Sequence, residues 1–227
     1  FRYAGAANIT VSSTRIDAFL CPSDSNSRIQ VGAGLARSQN YVVNFGNSIS
    51  SQPPFYLYQG SKIPFLGAPF TDMGAPDSDI VSDPLHGHMS GTTSFSGISD
   101  GLSSTMLVSE TVVGVGGDRR GYAWWGFAAE FTGLLPPNAA FPDVLQSSAY
   151  CGSEPPNPPC SGATGGRVGD TYIGLGLLNI PRSMHSGGVH VAMADGSVRM
   201  TTNSVNSAVF QALSSTAGNE IITAESY

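Results

Sequence analysis

Alternation of apolar and polar positions is clearest near the C-terminal end of the chain. There Val189-His190-Val191-Ala192-Met193 and Val198-Arg199-Met200 flank Asp195-Gly196. Asp-Gly favours a two-residue type I′ turn, because both positions need positive φ. The pattern predicts a hairpin pairing Met193 with Val198 and Val191 with Met200 on one apolar face. His190, Ala192, Arg199 and Thr201 then fall on the other. Beyond it, Asn203 or Ser204 is the expected cap of a helix. Val205, Ala208, Val209, Ala212 and Leu213 recur at helical spacing, Gly218 lies past its end, and Glu220-Ile221-Ile222-Thr223 would add a last short strand.

Upstream the signal is more local. Asn40-Tyr41-Val42-Val43-Asn44-Phe45-Gly46 reads as a short strand ending at glycine, and Thr10 to Leu20 as a short strand and a helical turn. Asp100-Gly101 is a turn that leads into a run of β-formers from Thr105 to Val113, with Glu110 inside it. Gly121 to Ala128 reads as a further strand, which would set Trp124 and Trp125 on opposite faces. Residues 47–94 and 133–169 show no sustained period and are rich in Pro and Gly. They are expected to be long surface inserts on one β-rich domain spanning residues 1–227. Phe55, Tyr56, Tyr58, Phe65 and Phe70, within the first insert, are expected to anchor it to the body.

Composition narrows the class. Charged residues make up 11% of the 227, hydrophobic residues 41%, and the formal net charge is −6. Lys62 is the only lysine. Phosphate binding needs clustered Lys and Arg, so nucleic acid is excluded as a partner, and a polybasic membrane anchor with it. The apolar fraction is too high for a disordered chain. No apolar run approaches the ~20 residues of a membrane helix, and no signal peptide opens the chain. A Ser-, Thr-, Asn- and Gly-rich surface of low charge fits an extracellular or cell-surface location.

Candidate chemistry is sparse. Cys151 and Cys160 bracket a proline-rich loop that a disulfide would pin, as expected of an exported protein; two free thiols or part of a metal site are the other readings. Cys21 is left as a buried small apolar side chain, or as half of a pair whose partner lies outside this chain. Asp77, Asp79 and Asp83 form an acidic loop with oxygen ligands that suit calcium, though not at EF-hand spacing; a solvated loop is the alternative. His86 and His88, with His185 or His190, are a weaker metal candidate. Glu110 and Asp170 would be the carboxylate pair of a glycosidase, but nothing places them together. His185 and Asp195 sit at opposite ends of a strand about 20 Å long at ~3.3 Å per residue. They are therefore not expected to share one substrate or metal. A turn at Asp195-Gly196 and a local hydrogen bond of His185 before the Gly187-Gly188 bend account for them, with contact to a neighbouring subunit as a second reading.

Four stretches carry a resemblance: Phe19-Leu20-Cys21-Pro22-Ser23-Asp24; Asn40-Tyr41 with Asn44 and Gly46; Ile98-Ser99-Asp100-Gly101 through Glu110; and His185-Ser186-Gly187-Gly188 through Asp195-Gly196-Ser197-Val198. In this order and spacing they resemble the DUF1559 family of pilin-like proteins, abundant in planctomycetes and marked by an H-X9-DG motif. Ser104 departs from the family's usual Asn. The resemblance implies an α+β, β-rich fold: a pilin-like globular head with an antiparallel sheet, long inserts and a short C-terminal helix. The N-terminal pilin helix of such proteins is absent from this chain, which offers a home for a partner of Cys21. Pseudopilins similar to the family hold calcium in their heads, which would suit the acidic loop.

The expected function is a non-enzymatic structural subunit of a pilus-like or pseudopilus-like filament or tube. It would act through self-assembly and meet a membrane only through that helix. A low-charge surface suits close subunit packing, because few long charged side chains must be desolvated. The rival reading is a secreted binding module that captures a glycan or peptide through exposed aromatics such as Trp124 or Trp125.

Overall fold

Short runs of β-branched and aromatic residues, each closed by Gly, Pro or Asn, produce short strands. The computed structural model describes residues 7–25, 36–71, 93–124, 126–152 and 154–220. In chain order the strands are β1 (Tyr41–Asn44), β2 (Phe55–Tyr58), β3 (Ser61–Pro64), β4 (Met106–Glu110), β5 (Glu130–Phe131), β6 (Asp143–Leu145), β7 (Cys160–Gly162), β8 (Gly166–Val168), β9 (Thr171–Ile173), β10 (Gly188–Met193) and β11 (Val198–Thr202). Helices α1 (Ile9–Ser12) and α2 (Ser207–Ser214) lie near the two ends. The fold is α+β and sheet-rich with a short C-terminal helix, as expected.

The main sheet has the order β11-β10-β4-β1-β5. It is antiparallel except where β5 joins β1 in parallel. On its inner face Val42, Met106, Phe131, Val189, Val191 and Met193 pack with Val205, Phe210 and Leu213 of the C-terminal segment. The α2 N-cap is Asn206, whose side chain accepts from Ala208 N. The helix therefore starts after the Asn203 or Ser204 predicted for it. Phe210, fully buried, supplies its main anchor, while Ala208 stays exposed. Residues 221–223, where a last strand is predicted, lie outside the described residues.

The hairpin forms, but one residue out of the expected register. Ala192 pairs with Val198, Val191 with Arg199 and His190 with Met200. The connection is a three-residue loop, with Gly196 N donating to Met193 O, Met193 N donating to Ser197 O, and Gly196 at φ +85°. This is a type I turn closed by a glycine bulge rather than a type I′ turn. A slip of one residue moves every side chain of a strand to the other face. Val198 and Met200 are accordingly 68% and 43% exposed, and Thr201 is buried.

Both predicted inserts contain ordered structure. Residues 55–64 form a hairpin about Gln59-Gly60, with φ of +49° and +82°. That hairpin joins β9 and β8 in a second sheet of order β3-β2-β9-β8. Its core holds Ile49, Tyr56, Leu134, Val144, Tyr172, Leu178 and Ile180, so both inserts contribute to a buried interior instead of lying on the surface. Tyr56 anchors as expected, whereas Phe70 is 38% exposed. Among the described residues, 121–124 and 126–128 do not form the predicted strand. Gly121 takes φ +73°, Tyr122 makes only an isolated bridge to Ser38, and Gly126–Ala128 is a 3-10 turn.

A buried ion network ties the second insert to the rest. The Arg120 guanidinium bonds Asp118 at 2.7 Å and Asp143 at 2.9 Å, and Asp143 also meets Arg182 at 2.9 Å. Burial alone would pull the Arg120 pKa down. The hydrogen bonds and charges of Asp118 and Asp143 overcome that and hold it above its ordinary value. The expected Cys151–Cys160 disulfide is present beside this network, with Gly152 N donating to Asp118 Oδ2.

Gly188 opens β10 where backbones touch. A Cβ built there would stand 2.1 Å from Thr201 O. Gly188→Ala is expected to cost about 1–3 kcal/mol, the usual range for overpacking. A thermal or urea melt checks this, and an unchanged midpoint would contradict it.

Candidate functional site

The three segments that carry Cys21, Glu110 and His185 are far apart in the chain and converge at one edge of the outer sheet face. A 3-10 turn at Asp17–Phe19 delivers Cys21 to the end of β1. Asn40, just before β1, fixes it there: its Oδ1 accepts from Cys21 N at 2.9 Å, and its Nδ2 donates to Asp24 Oδ2 at 2.6 Å and to Thr111 O at 2.9 Å. Asp24 in turn accepts from Val113 N at 2.9 Å. The Cys-Pro-Ser-Asp and Asn-Tyr stretches are thus one hydrogen-bonded unit clamped over the end of β4.

Glu110 closes β4 and is buried, with 2% of its surface exposed. Its Oε1 lies 3.0 Å from His185 Nε2, and its Oε2 accepts from His190 N at 2.7 Å with His190 Nδ1 at 3.5 Å. Cys21 Sγ stands 3.4 Å from His185 Nε2, and Cys21 is buried. The two imidazole rings meet edge to face at 4.7 Å. Ser183 Oγ accepts from His185 N and donates to Gly188 O, which holds the bend at Gly187. His185 therefore makes long-range contacts besides its local one. Cys21 is a buried free thiol with a polar neighbour, not simply an apolar filler.

Thiol and carboxylate both approach the same imidazole nitrogen. A relay that activates a thiol needs the base on one ring nitrogen and the orienting carboxylate on the other. This geometry does not build such a relay. Burial raises the phenol of Tyr41 above its ordinary pKa, with the charges of Cys21 and Glu110 pushing the same way.

The cluster stands at the edge of an apolar groove. Val43, Val108, Ala192 and Val198 form one row across the outer face of four strands, through the pairs Val43–Val108, Ala192–Val108 and Ala192–Val198. Tyr41 and Glu110 pair in the adjacent row, and so do His190 and Met200. The Val43–Val198 row, Tyr41, Glu110 and His190 line, with Phe19 and Pro22, a groove of about 730 Å³. Leu107 is the extra residue of a bulge between Met106 and Val108 opposite β10, and this sets Val108 outward while Met106 faces the core.

The other motif residues are structural. Asp100 Oδ2 accepts from Ser215 Oγ and Gly218 N, and its Oδ1 from Asn219 N, so it fastens the segment after α2. Gly101 takes φ +95° in that turn. Asp195 binds Ser197, and the backbone N–H of Asp195 donates to Leu102 O. The hydroxyl and N–H of Ser197, followed by the charge of Arg199, lower the Asp195 pKa. His185 and Asp195 belong to opposite ends of β10, as their spacing predicts. Asp170 pairs with Lys62 on the second sheet, away from Glu110. Trp124 is 42% exposed beside a shallow pocket of about 160 Å³ that it shares with Phe19 and Arg37. Trp125, Asp77, Asp79, Asp83, His86 and His88 lie outside the described residues. Among the described residues, no helix is long and apolar enough to cross a membrane.

Residues 2–208 match the family model described as a protein of unknown function, DUF1559. No curated protein and no solved structure matches the chain.

Proposed function

This chain belongs to the DUF1559 family, and we propose that it works there as a non-enzymatic structural subunit of an extracellular or cell-surface pilus-like filament or tube, built by self-assembly. The observation that carries this reading is the open apolar face of the main sheet. One face of that sheet is covered by α2, while the other presents the half-buried Val43, Val108 and Ala192 and the exposed Val198 in a row that lines the groove. Contiguous exposed apolar surface on a folded chain marks a place where another chain packs. The occupant in this reading is a second copy of the same protein. Low overall charge supports it, because a copy docking there has few charged side chains to desolvate. Motif residues spent on structural tasks, such as Asp100 and Asp195-Gly196, support the non-enzymatic part.

The test is assembly. Purified protein at high concentration is expected to form ordered polymers visible by electron microscopy. Val198→Glu places a charge on the row at a position that is 68% exposed. It is expected to abolish polymer formation while changing stability by no more than about 0.5 kcal/mol, as surface changes do. A strictly monomeric wild type, or polymers unaffected by Val198→Glu, would count against this reading.

A further inference from the structure

We propose that Cys21, Glu110 and His185 are a binding site for one thiophilic divalent cation of the zinc type. The ligand atoms Sγ, Oε and Nε2 all lie within 4.8 Å of one another. The shortest separations are 3.4 Å from sulfur to nitrogen and 3.0 Å from nitrogen to oxygen. Bonds of ~2.0–2.3 Å in a tetrahedron put neighbouring ligand atoms roughly 3–4 Å apart; the sulfur–nitrogen and nitrogen–oxygen separations already match this, and the sulfur–oxygen pair, within 4.8 Å, closes into that range as the ion binds. One thiol, one imidazole and one carboxylate suit zinc; calcium and magnesium take oxygen ligands alone.

Charge points the same way. Glu110 is buried, and among the described residues its ion-pair partners are His185 and His190, with no lysine or arginine. A buried carboxylate calls for a cationic partner, and a divalent ion held between it and the thiolate would supply one. Binding displaces the thiol proton of Cys21, and the proton on His185 moves to Nδ1 so that Nε2 can donate its lone pair. The surroundings already orient the ligands. Asn40 holds the Cys21 backbone, His190 N–H holds Oε2, and Ser183 holds the His185 backbone. The fourth coordination position opens on the groove, where a water, His190 or a donor from an occupant reaches it. Such an ion would clip the Cys21 loop to β4 and to the start of β10. The proposal does not depend on the assembly reading.

Cobalt(II) tests it directly. Cys151 and Cys160 are joined to each other, so Cys21 is the one free thiol of the three cysteines. An untagged, chelator-treated full chain titrated with Co²⁺ is expected to show a thiolate-to-cobalt charge-transfer band that saturates at one equivalent. Zn²⁺ should bleach that band. Cys21→Ser should abolish it, and His185→Ala should weaken Zn²⁺ binding by more than about 100-fold, beyond the usual effect of outer-shell changes. Absence of a saturable band in the wild type overturns the proposal without reference to any variant. An equal band or equal zinc affinity in folded Cys21→Ser overturns it as well.

Discussion

Asp143→Ala is expected to lower stability by about 3–5 kcal/mol, the range for breaking a buried ion pair by removing one partner. Asp143 is 1% exposed and serves two guanidinium groups, accepting from Arg120 NH1 at 2.9 Å and from Arg182 Nε at 2.9 Å, besides Ile180 N at 3.1 Å. The four side chains Asp118, Arg120, Asp143 and Arg182 are balanced in charge and all buried. Without Asp143, Arg120 keeps only Asp118 and buried Arg182 loses the carboxylate it is paired with. Arg182 retains its bonds to Ala139 O and Phe141 O, which limit the loss without replacing the charge. Asp170→Asn is the control. Its partner Lys62 is 3.6 Å away and both side chains are about half exposed, so the change should stay below about 1 kcal/mol. Urea unfolding with an unchanged slope measures both. A loss under about 1 kcal/mol at Asp143 would contradict the account.

That network also marks where reading the chain stops short. Asp118 and Arg120 sit in a glycine-rich run, while Asp143 and Arg182 lie among prolines, surroundings that read as surface loop. Burial of charge is a property of distant partners and leaves no local period. In a chain with 11% charged residues, each isolated Asp or Arg among Gly and Pro was the available signal. The hairpin shows a different gap. Its existence and strands are legible in the alternation about Asp195-Gly196. Its register is set by the loop: Gly196 closes a bulge, so the strands pair one residue off the symmetric arrangement. The apolar side chain of Val198 matches a core position in the alternation. The structure instead spends Val198 and Met200 on the outer face and buries Thr201.

The site was legible in its parts but not as a whole. Cys21, Glu110 and His185 each stood out within a motif, and the separation of His185 from Asp195 followed from strand length alone. Nothing local brings Cys21 to His185 across 164 positions of sequence. One signal pointed there. Glu110 interrupts a run of apolar and β-branched residues, and a carboxylate in a central strand needs polar partners from neighbouring elements. The hydrogen bonds of Asn40 supply the link that pattern reading lacks, because Asn40 reads only as the first residue of a short strand.

Asn40→Ala should therefore separate the architecture of the site from its ligands. The side chain is buried, accepts from Cys21 N and donates to Asp24 and Thr111. Truncation leaves a buried N–H, a buried carbonyl and part of a buried carboxylate unsatisfied, at ~1–3 kcal/mol for each such group. These groups share one network and do not add fully, so the expected loss is about 3 kcal/mol. The same change frees the Cys21 backbone, while Glu110 and His185 stay fastened to β4 and β10 by His190 N and Ser183. The thiol should then drift from His185 and become open to alkylation, and zinc affinity should fall by about 10–100-fold, as when an outer-shell partner of a ligand is removed. A Ser at position 40 restores an acceptor but cannot reach Asp24 and Thr111 together, so it should recover little. If Asn40→Ala folds with wild-type stability and leaves Cys21 as protected as before, the loop is held by something other than Asn40. The clamp between the Cys-Pro-Ser-Asp segment and β4 would then have to be assigned to the Asp24–Val113 bond and to the backbone bonds of residue 40 with Phe19 and Thr111.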